Sequence, residues 1–208
     1  NMIPSVKAIA DLDDSAADIA DQVDYVREVT GSDKVNLVGH SQGGMHIKTY
    51  TQMHNGADHV SHAVALGGNF HGTTLNGQGE ALSKIIAFAP HLAAFMASTA
   101  GIQQVVGSEF IKRLNALPDT APGVLYTSIY SPGDTTVTPN SSSQLALGDG
   151  ADVVNLDLSE VCGVAPRHDK LPTDPTVLSQ VIFGLKRAPG EGPDPATCAS
   201  GEPSVVGS

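Results

Sequence analysis

Lys34-Val35-Asn36-Leu37-Val38-Gly39-His40-Ser41-Gln42-Gly43-Gly44 decides how this chain is read. Val35 to Val38 form a short apolar run that stops at Gly39, and Met45-His46-Ile47-Lys48-Thr49-Tyr50 continues with helical character. Strand, sharp turn and helix follow one another. The pentapeptide Gly39-His40-Ser41-Gln42-Gly43 fits G-x-S-x-G, a turn that strains its serine and lifts the hydroxyl above the end of a sheet. Side chains at Gly39 and Gly43 are expected to collide with neighbouring backbone. The Gln42 backbone N–H, at the helix start, is expected to stabilise an oxyanion. A plain glycine-rich turn explains the glycines, but not a serine preceded by His40 at the apex.

Upstream, residues 15–30 read as an amphipathic helix with Ala16, Ile19, Ala20, Val23 and Val26 as the buried stripe. Ser15 and Asp18 suggest a capping box, and Gly31 a C-cap. The aspartates between Asp11 and Asp24 lack the spacing of a calcium loop and read as a solvated face with helix-start charge. Downstream, the elbow helix runs to about Met53 and a strand spans Val60 to Leu66. His59 and His62 would then point to opposite sides, which argues against a metal site there. Gly67-Gly68-Asn69-Phe70-His71-Gly72-Thr73-Thr74 is a polar loop at a strand C-terminus, where α/β sheets place their sites. His71 is a loop-stabilising or substrate-side residue in this reading. Residues 81–100 are apolar nearly all round, with Pro90 as a break, and suit either core packing or a lid or acyl-binding wall. A short helix over 108–116, strands over 123–130 and 153–156, and a closing helix over 177–185 complete the pattern. From Ala188 onward Pro and Gly dominate, which predicts a domain over 1–187 and an extended tail over 188–208.

The chain has 208 residues, enough for one domain with a substantial core. Alternating strand and helix signals give an α/β class. No apolar run approaches a membrane span. A net charge of −11 argues against nucleic acid or an anionic membrane surface as a partner. The two cysteines, Cys162 and Cys198, allow one disulfide to the tail, and their spacing is equally compatible with free thiols.

A serine hydroxyl is a poor nucleophile without a base in hydrogen-bond reach and an acid to orient that base. The elbow calls for the chain order Ser, acid, His. Asp134 follows a predicted strand in Ser131-Pro132-Gly133-Asp134, and His168 has no rival histidine beyond it. Ser41, Asp134 and His168 therefore form the candidate catalytic set. Asp149, Asp152 and Asp157 are the weaker rivals for the acid.

At these residues the chain resembles the bacterial class 2 lipases of the α/β-hydrolase superfamily. The matching motifs are Val35 to Gly44, Asn69-Phe70-His71-Gly72-Thr73-Thr74-Leu75-Asn76-Gly77, Tyr126 to Tyr130 leading to Asp134 with Val137 and Pro139, and His168 with Leu171. The likeness runs from about Ser15 to Leu185. It implies a mostly parallel sheet with helices on both faces, and hydrolysis of acyl glycerols and other carboxylic esters. It also implies secretion, no metal and no organic cofactor. Some relatives cut polyesters. Substrate contacts are expected from His40, His71, Val137 and Leu171.

The chain departs from the family in three places. Many relatives carry a cysteine near Ile102 that could pair with the one matching Cys162, and its absence favours Cys162–Cys198. Asp169 and Lys170 stand where relatives have an apolar residue and glycine. Relatives also carry N-terminal strands, one beside the elbow strand and one leading to the second oxyanion N–H, and neither is legible here. The expectation is therefore a catalytic portion completed by an N-terminal polypeptide segment of the same enzyme. The second oxyanion donor would lie outside this chain.

Overall fold

A computed structural model describes residues 8–74 and 98–199. Within them, four strands form one parallel sheet in the order β1 (Val35–His40), β2 (Val60–Leu66), β3 (Leu125–Tyr130) and β4 (Asp152–Asp157). The helices are α1 (Leu12–Thr30), α2 (Gln42–Met53), α3 (Thr99–Gln103), α4 (Glu109–Asn115), α5 (Leu158–Cys162) and α6 (Pro175–Lys186).

Parallel strands buried on both faces alternate between two cores. On β2, Ala63 and Ala65 pack with Val23 of α1 and with Ile47 and Tyr50 of α2. The intervening Val64 and Leu66 pack with Val177 and Val181 of α6 on the other face. The expected helices on both faces are present. A third cluster joins Leu12, Met45, Ala100, Phe110, Ile111 and Leu114 near one end.

The strand predicted over Val60 to Leu66 is observed with those bounds, and α2 ends at Met53 as expected. The first helix starts earlier than its sequence pattern suggests. Its cap is Asp11, whose carboxylate accepts from the Asp13 N–H, rather than a box at Ser15. A tertiary contact extends it, because the Leu12 N–H donates to Gln103 Oε1 at 2.8 Å and Leu12 is fully buried. Val26, expected in the buried stripe, is 42% exposed. The C-cap at Gly31 is as read, with φ +65°.

Among the described residues β1 pairs only with β2, so its outer edge carries no neighbour, and Val38 on it is half exposed. A disulfide joins Cys162, at the end of α5, to Cys198 in the tail. The tail beyond α6 also docks through Gln180 Nε2, which donates to Thr197 Oγ1 at 2.8 Å. The apolar stretch over 81–100 lies, apart from its last three residues, outside the described residues. No helix among those described is long and apolar enough to cross a membrane.

Candidate active site

The parallel register brings the strand exits into line. His40 pairs with Leu66, Leu66 with Ile129, and Tyr130 with Asp157. Beyond the strands the line continues: the Ser41 N–H donates to the Leu66 carbonyl at 2.9 Å and the Gly67 N–H to the Ile129 carbonyl at 2.8 Å. Loops leaving β1, β2 and β3 therefore converge on one edge.

Ser41 stands between β1 and α2 with φ 56° and ψ −120°. A non-glycine residue in that region is strained, and the two elements it joins hold it there. Gln42 is the first residue of α2, so its N–H has no intrahelical acceptor and lies at the positive end of the helix dipole. A Cβ on Gly39 would overlap the Gly43 carbonyl, as the motif predicts. The expectation for Gly43 itself is corrected, since a Cβ there meets nothing within 4 Å. The crowded position on the helix is Gly44, where a Cβ would come within 2.7 Å of the Gly68 Cα. Gly43 contributes the backbone that Gly39 must clear, and Gly44 lets α2 close on the loop after β2.

Asp134 leaves β3 in a tight loop and is buried. Its Oδ1 accepts from the backbone N–H groups of Thr136 (2.8 Å) and Val137 (3.0 Å). Its Oδ2 accepts from His168 Nδ1 at 2.6 Å. Asn140 closes the loop, donating from Nδ2 to the Asp134 carbonyl at 3.0 Å. His168 opens a short 3-10 turn, His168–Lys170, and its side chain is only 13% exposed. Beneath the pair lies Gly67, with φ +51°, where a Cβ would come within 3.0 Å of Asp134 Oδ2 and 3.2 Å of His168 Nδ1.

The Asp134–His168 pair lies against the nucleophile turn. His40 Nε2 is 3.0 Å from the His168 carbonyl oxygen, and the two imidazole rings lie 4.6 Å apart between centroids. Burial, and then the neighbouring His168, lowers the pKa of His40 below the ordinary histidine value, opposed by the hydrogen bond to the His168 carbonyl and by Asp134.

The other residues expected to touch substrate are placed differently. Val137 is buried, and its N–H serves Asp134. Leu171 is fully buried in the core beside Leu66 and Ile129. His71 turns away to a separate cluster, 3.2 Å from Asp119 Oδ2 and 3.1 Å from Asn115 Oδ1. That placement matches the loop-stabilising alternative in its sequence reading. Asp149, Asp152 and Asp157 are not bonded to His168. Asp152 pairs with Arg187 and Asp157 caps α5.

A buried polar chain behind the elbow escaped sequence reading. Gln42 Oε1 accepts from Gln104 Nε2 at 3.4 Å, and the Gln42 amide lies 3.2 Å from His46 Nε2. Gln104 also meets Asn69 Nδ2 at 3.3 Å. The four side chains come from three segments, and although Gln42 and His46 share an i,i+4 spacing on α2, nothing local in the sequence joins them to Asn69 or Gln104.

A family model described as the alpha/beta hydrolase fold matches residues 7–84. Among solved structures, Aspergillus fumigatus lipase B matches with a TM-score of 0.75 at 24% identity, over 95% of this chain and 48% of its own. Bacillus licheniformis lipase BlEst2 in its propeptide form matches with a TM-score of 0.57 at 19% identity, over 87% of this chain and 42% of its own. No curated protein matches. The chain has the α/β-hydrolase fold and spans about half the length of the Aspergillus lipase B it resembles, 48%.

Proposed function

We propose that this chain is the catalytic portion of a serine ester hydrolase of lipase type, akin to the bacterial class 2 lipases. It cleaves acyl glycerols or related carboxylic esters through an acyl-enzyme on Ser41. The observation that carries the reading is the part-buried His168 Nδ1–Asp134 Oδ2 hydrogen bond of 2.6 Å, set beside the strained turn that presents Ser41.

In this mechanism His168 Nε2 takes the Ser41 proton as Oγ attacks the ester carbonyl carbon. Asp134 holds the Nδ1–H and stabilises the imidazolium. The Gln42 N–H receives the oxyanion. When the tetrahedral intermediate collapses, the C–O bond to the alcohol breaks and His168 Nε2–H protonates the leaving oxygen. Water then enters by the same route and frees the acid. Val137 and Leu171 act by bracing the carboxylate and imidazole from beneath.

A single oxyanion donor is a poor site, since losing one donor costs about a hundred- to thousandfold in turnover. Among the described residues the outer edge of β1, with Val38 half exposed, is an unpaired row of N–H and C=O groups. In this reading an N-terminal segment of the same enzyme pairs there and brings the second donor. The Cys162–Cys198 disulfide fits an oxidising compartment, and hence secretion.

The test is labelling of Ser41 with a fluorophosphonate, set beside hydrolysis of esters of graded chain length, with intact mass and N-terminal analysis of the active sample. Labelling in the native protein and none in Ser41→Ala is the expected result. Preference for long chains with a jump at the oil–water interface identifies a lipase. Preference for short soluble or polymeric esters identifies a carboxylesterase or polyester hydrolase. Absence of labelling and turnover in a sample with β1 paired identifies a non-catalytic hydrolase fold used for binding and sinks the proposal.

A further inference from the structure

His40 ends β1 and is bonded covalently to Ser41. It also reaches the segment that carries the base. Its Nε2 lies 3.0 Å from the His168 carbonyl, and its ring leans on that of His168 at 37°. A carbonyl only accepts, so His40 donates through Nε2–H.

The segment around His168 is anchored to the core by the fully buried Leu171 and to the acid loop by Ser131, and His40 gives it a bond to the nucleophile strand. Gly163, Ala165, Arg167, Asp169 and Lys170 are exposed. Ser131 Oγ donates to the Pro166 carbonyl at 2.7 Å, and the Leu171 N–H reaches the His168 carbonyl at 3.3 Å. The bond to Asp134 fixes one ring nitrogen but ties the base only to the acid loop. It leaves the far nitrogen, the one that must meet Ser41, without a fixed reference to the serine.

We propose that His40 is a positioning residue. Its hydrogen bond to the His168 carbonyl gauges the base-bearing loop against the serine that follows His40 in the chain. The inference rests on the ester-hydrolase reading above. It revises the sequence-based expectation that His40 contacts substrate. The physical reason for a large effect is geometric, since a misplacement of about 1 Å can cost on the order of a hundredfold in rate.

The test compares His40→Gln, which keeps a donor, with His40→Met, of similar length and without one. His40→Phe keeps a ring without a donor and stands in should the methionine variant fail to fold. In the donor-free variants kcat is expected to fall about ten- to a hundredfold with KM within about twofold, and glutamine is expected to recover most of the loss. Native-like kcat without a donor overturns the proposal. So does a rise in KM alone, which would mark a substrate contact, or a glutamine variant no better than methionine. The far-downfield NMR signal of the His168 Nδ1 proton supplies a readout that needs no turnover. It is expected to move in the donor-free variants and to hold in His40→Gln. If that pattern is seen in a protein that takes up no fluorophosphonate and cleaves no ester, the ester reading fails and the positioning role stands. If the signal is unmoved without the donor, the positioning role fails whatever the activity.

Discussion

Two histidine–aspartate pairs occupy two regions of this molecule, and their surroundings give them opposite characters. In the first, Asp134 meets only backbone N–H groups and His168, and no lysine or arginine is bonded to it among the described residues. In the second, Asp119 is held by Lys48 Nζ at 2.6 Å, the Ala146 N–H at 2.8 Å and His71 at 3.2 Å. Burial raises the Asp119 pKa, but the hydrogen bonds from His71, Lys48 and Ala146 outweigh it and hold the carboxyl well below the usual range. Lys48 is itself 1% exposed, and burial pulls its pKa down against that pairing. His71 has acceptors at both ring nitrogens, Asp119 and the Gln144 carbonyl on one side and Asn115 on the other. Its bonds hold loops together. The Asp134 carboxylate is left with one ionisable partner, and the second nitrogen of that partner meets no protein acceptor among the described residues. An identical pair of residue types is a strut where a lysine shares the carboxylate, and a candidate relay where none does.

Asp134→Asn breaks the comparison most severely if the assignment is wrong. It is expected to lower kcat on the order of 10⁴-fold with little change in melting temperature. Asp119→Asn should show the reverse, costing about 3 to 5 kcal/mol by stranding the buried Lys48 charge while the folded fraction keeps its kcat. Steady-state kinetics and denaturant melts on both variants read the contrast, and interchanged results would dissolve it.

A third histidine sharpens the comparison through pH. His46, buried in α2, is lowered to about 4 by desolvation. Its Nε2 faces the Gln42 amide at 3.2 Å and its Nδ1 faces Thr49 Oγ1 at 3.3 Å, a set suited to the neutral ring. Between its folded value and the ordinary 6.5, the unfolded chain binds the proton and the folded chain does not. Stability is therefore lost as pH falls through that window, by about 3 kcal/mol in full. In His46→Gln, that part of the acid-side slope should vanish from unfolding free energies taken at stepped pH.

His71 supplies the smallest effect and the opposite sign. Its hydrogen bond to Asp119 raises its pKa against burial. The stability it contributes is fully present below the unfolded value and is lost as pH rises through the folded one. His71→Gln should flatten that neutral-to-alkaline loss in melting temperature. Exposure of about a third of the side chain, 32%, keeps it modest.

Much of this architecture was legible locally. The apolar run Val35 to Val38, the glycine before the serine and the strand from Val60 to Leu66 announce themselves by composition and period, although of these two strands only β2 is covered on both faces among the described residues, Val38 on β1 being half exposed. What escaped reading depended on partners distant in sequence. The start of α1 follows from a Gln103 contact, and the crowding at Gly44 from a loop that only the sheet brings near. Leu171 and Val137 read as substrate contacts, and that both side chains are buried was not legible, because an apolar side chain beside a site looks the same in sequence whether it faces inward or outward.

By itself the sequence determined that a serine would be raised on a strained turn at a strand end, with an acid, Asp134, downstream and a single histidine, His168, beyond that acid. These are properties of short segments and of chain order. Chain order singled out Asp134 for His168, and the tertiary structure supplied that contact together with a second one, Asp119 with His71 and Lys48, that nothing in the sequence signalled. Hydrogen bonds reach only about 3 Å, so a pairing across 34 or 48 residues exists only once parallel strands have brought their ends together.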